Sequence, residues 1–200
     1  MTSETYDGET FTYTYDNKNN VQKTGLTYTN GKLTSVDGKA IVYDAMGNPT
    51  TYKGKAFTWT QGRKLAAGSM NGNTFTYEYD GNGMRYEKTV NGKVTQYYWN
   101  GSQLLYEYRQ DLNERIYYIY DASGIAGILY NNDVYYFAKN AFGDIVAIFN
   151  ESGQQVAEYV YDAWGNIVYE NYDNSDNIGE INPFRYRGYY YPSCDRGREA

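Results

Sequence analysis

The chain has 200 residues, a formal net charge of −6 and a hydrophobic fraction of 41%, which allows one or two domains of ordinary size. Its acidic balance offers no clustered excess of Lys and Arg such as a phosphate backbone requires, which argues against a nucleic-acid surface. Histidine is absent and Cys194 is the single cysteine, which removes Ser-His-Asp and Cys-His chemistry, histidine pH switching, histidine or cysteine zinc sites and intrachain disulfides.

Tyrosine, at 27 residues, carries much of the burial, and there are only 3 prolines. Runs of Tyr, Thr, Phe, Trp and Val favour strands, since flat and β-branched side chains pack on a pleated surface. Apolar residues do not hold a helical spacing for more than about one turn, so almost no helix is expected. Met1–Thr5 has neither a basic nor an apolar stretch of the kind a leader carries, and no apolar run reaches the ~18 residues of a membrane span.

In chain order, Phe11-Thr12-Tyr13-Thr14-Tyr15-Asp16 alternates aromatic and polar residues, the period of a strand with one buried face. Tyr15 and Tyr28 begin weak copies of an aromatic–polar turn–glycine motif. Strong copies follow at Tyr43-Asp44-Ala45-Met46-Gly47-Asn48, Tyr79-Asp80-Gly81-Asn82-Gly83-Met84, Tyr120-Asp121-Ala122-Ser123-Gly124-Ile125 and Tyr161-Asp162-Ala163-Trp164-Gly165-Asn166. Trp59, Trp99 and Lys139 begin further weak ones. From Trp59 onward the spacing settles near ~20 residues, as in stacked supersecondary units sharing one core. In each copy Asp ends a strand by accepting backbone N–H bonds just ahead of it, and the Gly three positions on supplies positive φ. Asn30-Gly31, Asn71-Gly72, Asn91-Gly92 and Asn100-Gly101 read as two-residue type I′ hairpin turns. Chained antiparallel hairpins of this kind make an all-β, curved and spiralling sheet. Ile116–Tyr120 and Val134–Phe137 are apolar at consecutive positions and are expected to be covered on both faces.

Toward the C-terminus, Asp173–Glu180 has the composition of a calcium loop but the wrong Gly and Glu spacing, and reads as a solvated connection. Arg185-Tyr186-Arg187 reads as sheet-edge charge. The recurring Asp44, Asp80, Asp121 and Asp162 occupy like environments, whereas an acid–base pair needs unlike ones, so they read as turn residues and no catalytic, cofactor or metal site is assigned. Trp59, Trp99 and Trp164 are candidate glycan-contacting rings, with shared core between hairpins as the alternative.

The four Tyr-Asp-x-x-Gly copies, together with Asn182-Pro183-Phe184-Arg185-Tyr186-Arg187-Gly188-Tyr189-Tyr190-Tyr191, resemble the YD-repeat (RHS-repeat) proteins, the last block resembling the start of the RHS-associated core. The resemblance implies a repeat array over 1–170, a connection and core start over 171–191, and a divergent tail over 192–200, read as the mark of a truncated or frame-disrupted piece. It further implies a non-catalytic wall of a β-cocoon that encloses a C-terminal toxin for delivery to neighbouring cells, in an extracellular or cell-wall setting. The implied partners are the toxin domain or the remaining shell repeats. The alternative is a module that binds carbohydrate or cell wall.

Overall fold

The structure, a computed structural model, describes residues 26–70, 72–172 and 177–191 in full, and of the earlier part the backbone of 3–6, 9–12, 14–15 and 21–22. Tyr13 and Asp16 of the first aromatic strand, the side chain of Tyr15, Asn71 of the second Asn-Gly pair, residues 173–176 and the tail 192–200 with Cys194 lie outside the described residues. The chain divides into two compact units, Met1–Thr74 and Phe75–Ala200.

The first unit holds strands β1 (Ser3–Tyr6), β2 (Glu9–Thr12), β3 (Thr14–Tyr15), β4 (Val21–Gln22), β5 (Leu26–Thr29), β6 (Lys32–Val36), β7 (Lys39–Ala40), β8 (Val42–Tyr43), β9 (Pro49–Tyr52), β10 (Lys55–Thr60) and β11 (Lys64–Met70). They pair antiparallel as β1·β2, β3·β4, β5·β6·β7 and β8·β9·β10·β11. The second unit holds β12 (Asn73–Tyr79) from Phe75 onward, β13 (Arg85–Val90), β14 (Lys93–Asn100), β15 (Gln103–Arg109), β16 (Glu114–Asp121), β17 (Gly124–Tyr130), β18 (Asp133–Lys139), β19 (Ile145–Asn150), β20 (Gln155–Tyr161) and β21 (Ile167–Tyr172), each paired antiparallel with the next. The only α-helix among the described residues is one turn, α1 (Ile178–Ile181). The protein is all-β.

Side-chain alternation places the core on one face. Phe75, Tyr77, Tyr97, Ile116, Tyr118, Tyr135 and Tyr159 are buried, and the closing segment 177–191 lies over this face with Ile178 and Phe184 in the same cluster. The opposite face is open. Tyr117 is 41% and Tyr136 51% exposed, so the expectation of double cover for Ile116–Tyr120 and Val134–Phe137 is corrected: bulk on consecutive positions here does not mean a second layer. Tyr98, Tyr106 and Tyr117, opposite one another on β14, β15 and β16, instead shelter each other in a ladder with centroids 4.2 and 5.2 Å apart, a cross-strand packing that stabilises an exposed sheet face.

Two of the Asn-Gly pairs form the turn expected of them. Asn30 and Gly31 have φ of 52° and 78°, and Asn91 and Gly92 of 50° and 81°, between the end pairs Thr29–Lys32 and Val90–Lys93. Asn100 pairs with Gln103, so the third turn is centred on Gly101-Ser102 with positive φ at Gly101 alone. Register, set by the strand pairing, outranks the local Asn-Gly preference there.

Candidate functional site

The repeated feature is the motif turn. Asp44 accepts the backbone N–H groups of Met46 and Asn48 on Oδ1 at 2.9 and 2.8 Å, Asn48 Nδ2 donates to Oδ2 at 2.8 Å, and Gly47 N donates back to the Asp44 carbonyl at 3.1 Å. Gly47 sits at φ 85°, a conformation costly for any residue with a Cβ. The same three backbone hydrogen bonds hold Asp80 with Asn82, Gly83 and Met84, and Asp162 with Trp164, Gly165 and Asn166, where Asn166 Nδ2 repeats the side-chain bond as well. Asn140 replaces Asp in the copy ending at Asp144. Asp121 makes a tighter turn: it pairs directly with Gly124 and accepts the N–H and hydroxyl of Ser123, both at 2.7 Å. A further copy at Phe149-Asn150-Glu151-Ser152-Gly153, closed by Gln154 N on Asn150 Oδ1 at 2.9 Å, escaped the sequence reading because it falls between two units of the ~20-residue period.

These carboxylates are bound into their own loops. The Asn48 side-chain hydrogen bond holds Asp44 below the ordinary aspartate range, and the Ser123 side-chain hydrogen bond does the same for Asp121. A carboxylate fixed in its charged form by local donors is a turn stabiliser and a poor proton donor at neutral pH.

Each turn is built onto a β-bulge. Register shifts fall immediately before Tyr28, Tyr43, Trp59, Tyr79, Trp99, Tyr120, Lys139, Phe149 and Tyr161, the first residue of each motif. One extra residue on the returning strand bends it and increases local twist. The motif aromatic then reaches back to the preceding unit with its polar tip. Tyr43 Oη donates to Leu33 O at 2.7 Å, Trp59 Nε1 to Pro49 O at 2.8 Å, Trp99 Nε1 to Arg85 O at 2.7 Å, Tyr120 Oη to Leu104 O at 3.0 Å and Tyr161 Oη to Ile145 O at 2.7 Å. Every acceptor is the residue paired with the first residue of an earlier motif. Lys139 sends its Nζ to Ser123 O and Oγ at 3.3 and 3.0 Å instead. Trp59 and Trp99 are thus half-buried staples, while Trp164 stands at a loop tip, 52% exposed.

The closing segment is fastened by polar groups that the sequence reading passed over. Arg185, expected at a sheet edge, is buried, with its guanidinium donating to the carbonyls of Gly179, Asn182 and Phe184 and lying 4.3 Å over the Tyr159 ring. Its burial has a physical cause. A planar cation with five donors can be buried where carbonyls and a ring face converge. Asn182 folds its own turn through Phe184 N and O. Tyr190 Oη donates to the buried carboxylate of Glu107 at 2.6 Å, which also accepts Tyr118 Oη at 2.9 Å and is paired with Arg109 at 3.0 Å. Burial first, and the Glu107 charge second, push both hydroxyls well above the ordinary tyrosine value. Glu107 and Arg109 alternate on β15, but the bulge at Leu105 turns Leu104 and Glu107, three residues apart, to the same side, so strict alternation leaves this charged pair out of the inward set. Residues 177–180, read as solvated, instead start the turn of α1: Ile178 is buried and Gly179 O accepts Tyr159 Oη at 2.7 Å. No group of three or more metal-ligating side chains occurs among the described residues.

The family model described as the teneurin YD-shell matches residues 2–190. The chain belongs to the teneurin YD-shell family. It is 36% identical over 211 residues to the tRNA3(Ser)-specific nuclease WapA of Bacillus spizizenii and 38% identical over 211 residues to the tRNA nuclease WapA of Bacillus subtilis strain 168, covering 96% of this chain in each case. The chain spans 9% of the length of those relatives. Among solved structures, the TcdB2-TccC3-Cdc42 crystal structure matches with a TM-score of 0.70 at 18% identity, and the Photorhabdus luminescens Tc holotoxin pore with 0.68 at 18%, each covering 93% of this chain and 11% of that one. At these identities they establish the fold, a YD/RHS shell of antiparallel hairpins.

Proposed function

We propose that this YD-shell segment is a length of wall that helps to enclose a toxic passenger carried by the same polypeptide until it is delivered outside the producing cell. The observation that carries this reading is the fate of the chemistry-bearing side chains: motif carboxylates close their own turns, motif rings staple one unit to the one before, and the buried charges fasten the closing segment. Such a chain contributes enclosure and leaves chemistry to another part of the protein. Support also comes from relatives that are named as tRNA nucleases and are far longer than this chain. The passenger of the parent protein is then a toxic enzyme, and the partners of this segment are that domain and the remaining shell repeats, in an extracellular or cell-wall setting.

The test is a chimaera in which this chain replaces the matching stretch of the Bacillus subtilis WapA protein. Folding of the chimaera with its nuclease region as resistant to added protease as in the unmodified protein is the expected result. A folded chimaera whose nuclease region is cleaved as fast as the isolated region would refute enclosure.

A further inference from the structure

The outward tyrosines of β14 and β15 bring together a chemistry separate from enclosure. Tyr98 and Tyr106 stand directly opposite one another, their rings stack with centroids 4.2 Å apart and planes 11° from parallel, and Tyr98 is 40% exposed. That separation is close to the one between the centres of two benzene rings joined by a single carbon–carbon bond, so the rings need only turn edge to edge to bond. Side chains directly opposite on a regular ladder are held too close for that turn. Here the bulge relieves them. Leu105 is the extra residue between the Tyr98–Tyr106 and Trp99–Leu104 pairs, and a bulge interrupts the ladder and bends its strand, which lets the two Cβ atoms part.

Other tyrosine pairs lack one of these conditions. Tyr97–Tyr190, Tyr159–Tyr161 and Tyr159–Tyr172 have centroids 5.8, 6.4 and 6.1 Å apart and lie in or against the core cluster. Tyr106 and Tyr117 are 5.2 Å apart and tilted by 39°, on a β15·β16 pairing with no register shift.

We propose that Tyr98 and Tyr106 are an oxidative modification site, which a haem peroxidase acting with hydrogen peroxide joins as a dityrosine that welds β14 to β15. Each phenol loses one electron to the oxidant and its hydroxyl proton to water. The two tyrosyl radicals pair their electrons in one bond between the ring carbons ortho to the hydroxyls, and the hydrogen on each bonded carbon then moves to its own oxygen, restoring both rings. Peroxide takes up both electrons and two protons and leaves as two waters. The site goes beyond the shell reading and does not depend on it.

The test is treatment of the full 200-residue chain with a haem peroxidase and limiting hydrogen peroxide, followed by isolation of the monomer and tryptic mapping. Tyr98 and Tyr106 fall in a single tryptic peptide, 94–109. In the folded monomer that peptide becomes lighter by two hydrogens, gains dityrosine fluorescence and fragments as a ring closed between Tyr98 and Tyr106. Tyr98→Phe and Tyr106→Phe each abolish this product with circular dichroism unchanged, whereas Tyr108→Phe retains it. A product that survives either of the first two substitutions, or dityrosine found only in dimers or between other tyrosines, overturns the proposal. An equal yield of the 94–109 product from chain unfolded in urea also overturns it, because nearness in sequence rather than the folded stack would then bring the rings together.

Discussion

The two units use the same devices to different depth. Tyr43 and Trp59 in Met1–Thr74 staple backward as Trp99, Tyr120 and Tyr161 do in Phe75–Ala200, and each unit sets a bulge before each motif. Yet the buried hydrophobics of the first unit, among the described residues, are Val36 and Ile41, while the second has a continuous cluster from Tyr97 to Phe184. The difference is the closing segment, which covers one sheet face in the second unit. The motif therefore builds the course of the backbone, and a separate layer makes the core. Hydrogen bonds alone contribute modestly to net stability, whereas covered apolar area supplies most of it, so the second unit should be the more stable of the two.

Alkaline titration should separate the units most strongly. Tyr118 and Tyr190 hold their protons well above the ordinary value of 10.0, chiefly through burial. A raised folded-state pKa gives stabilisation that is complete below the unfolded value and is lost as pH rises through the folded value, because the unfolded chain releases those protons first. The expected outcome is opening of Phe75–Ala200 once the pH passes 10, with the Tyr118 and Tyr190 hydroxyls ionising only as that unit opens, followed by tyrosinate absorbance together with amide exchange. Ordinary ionisation of both in a folded unit would mean that the closing segment does not seal them.

Next in size is Phe184→Ala. Phe184 packs edge-on against Tyr118 and Tyr190 at 5.1 and 5.6 Å, and truncating a buried aromatic costs about 3–5 kcal/mol. Denaturant unfolding read by amide exchange should place that loss on the second unit and leave protection in 26–70 unchanged. An equal loss in both would erase the distinction between a motif-built and a cover-built stability.

Glycine replacements sharpen the comparison inside the second unit. Gly124 and Gly165 both have positive φ, but a Cβ on Gly124 meets open space whereas one on Gly165 would lie 2.6 Å from the Tyr186 ring of the closing segment. Gly124→Ala should cost roughly 1 kcal/mol from backbone strain. Gly165→Ala should cost that plus about 1–3 kcal/mol of overpacking. Equal thermal shifts would show that Tyr186 yields without loss and that the cover is loosely seated at this point.

What could be read in the sequence was what local chemistry decides. A strand that ends in Asp with Gly three residues on has few other ways to turn, so Asp44, Gly47, Asp80, Gly83, Asp162 and Gly165 could be assigned from their letters. The bulges left a trace that strict alternation hid: inward residues on the returning strands are three apart, as in Leu104 and Glu107, Ile125 and Ile128, or Ile145 and Ile148. The site of Arg185 left none. Its acceptors are carbonyls of Gly179, Asn182 and Phe184 and its platform is Tyr159 on β20, and no spacing rule brings those together.

The smallest effect tests whether the staple is one device in both units. Tyr43→Phe and Tyr161→Phe each remove a single hydroxyl that donates at 2.7 Å, to Leu33 O and Ile145 O respectively, and leave ring packing in place. A net hydrogen bond of this kind is worth about 0.5–1.5 kcal/mol. Burial pushes the Tyr161 hydroxyl up in pKa, a sign that water competes poorly for it, so Tyr161→Phe should fall toward the upper end of that range and Tyr43→Phe toward the lower. A measurable loss in both, by denaturant unfolding monitored within each unit, means that stapling is a property of the motif and acts without a covering layer. If Tyr43→Phe costs nothing while Tyr161→Phe costs the full amount, the bond stabilises only where the closing segment excludes water, and the repeat by itself supplies geometry without stability.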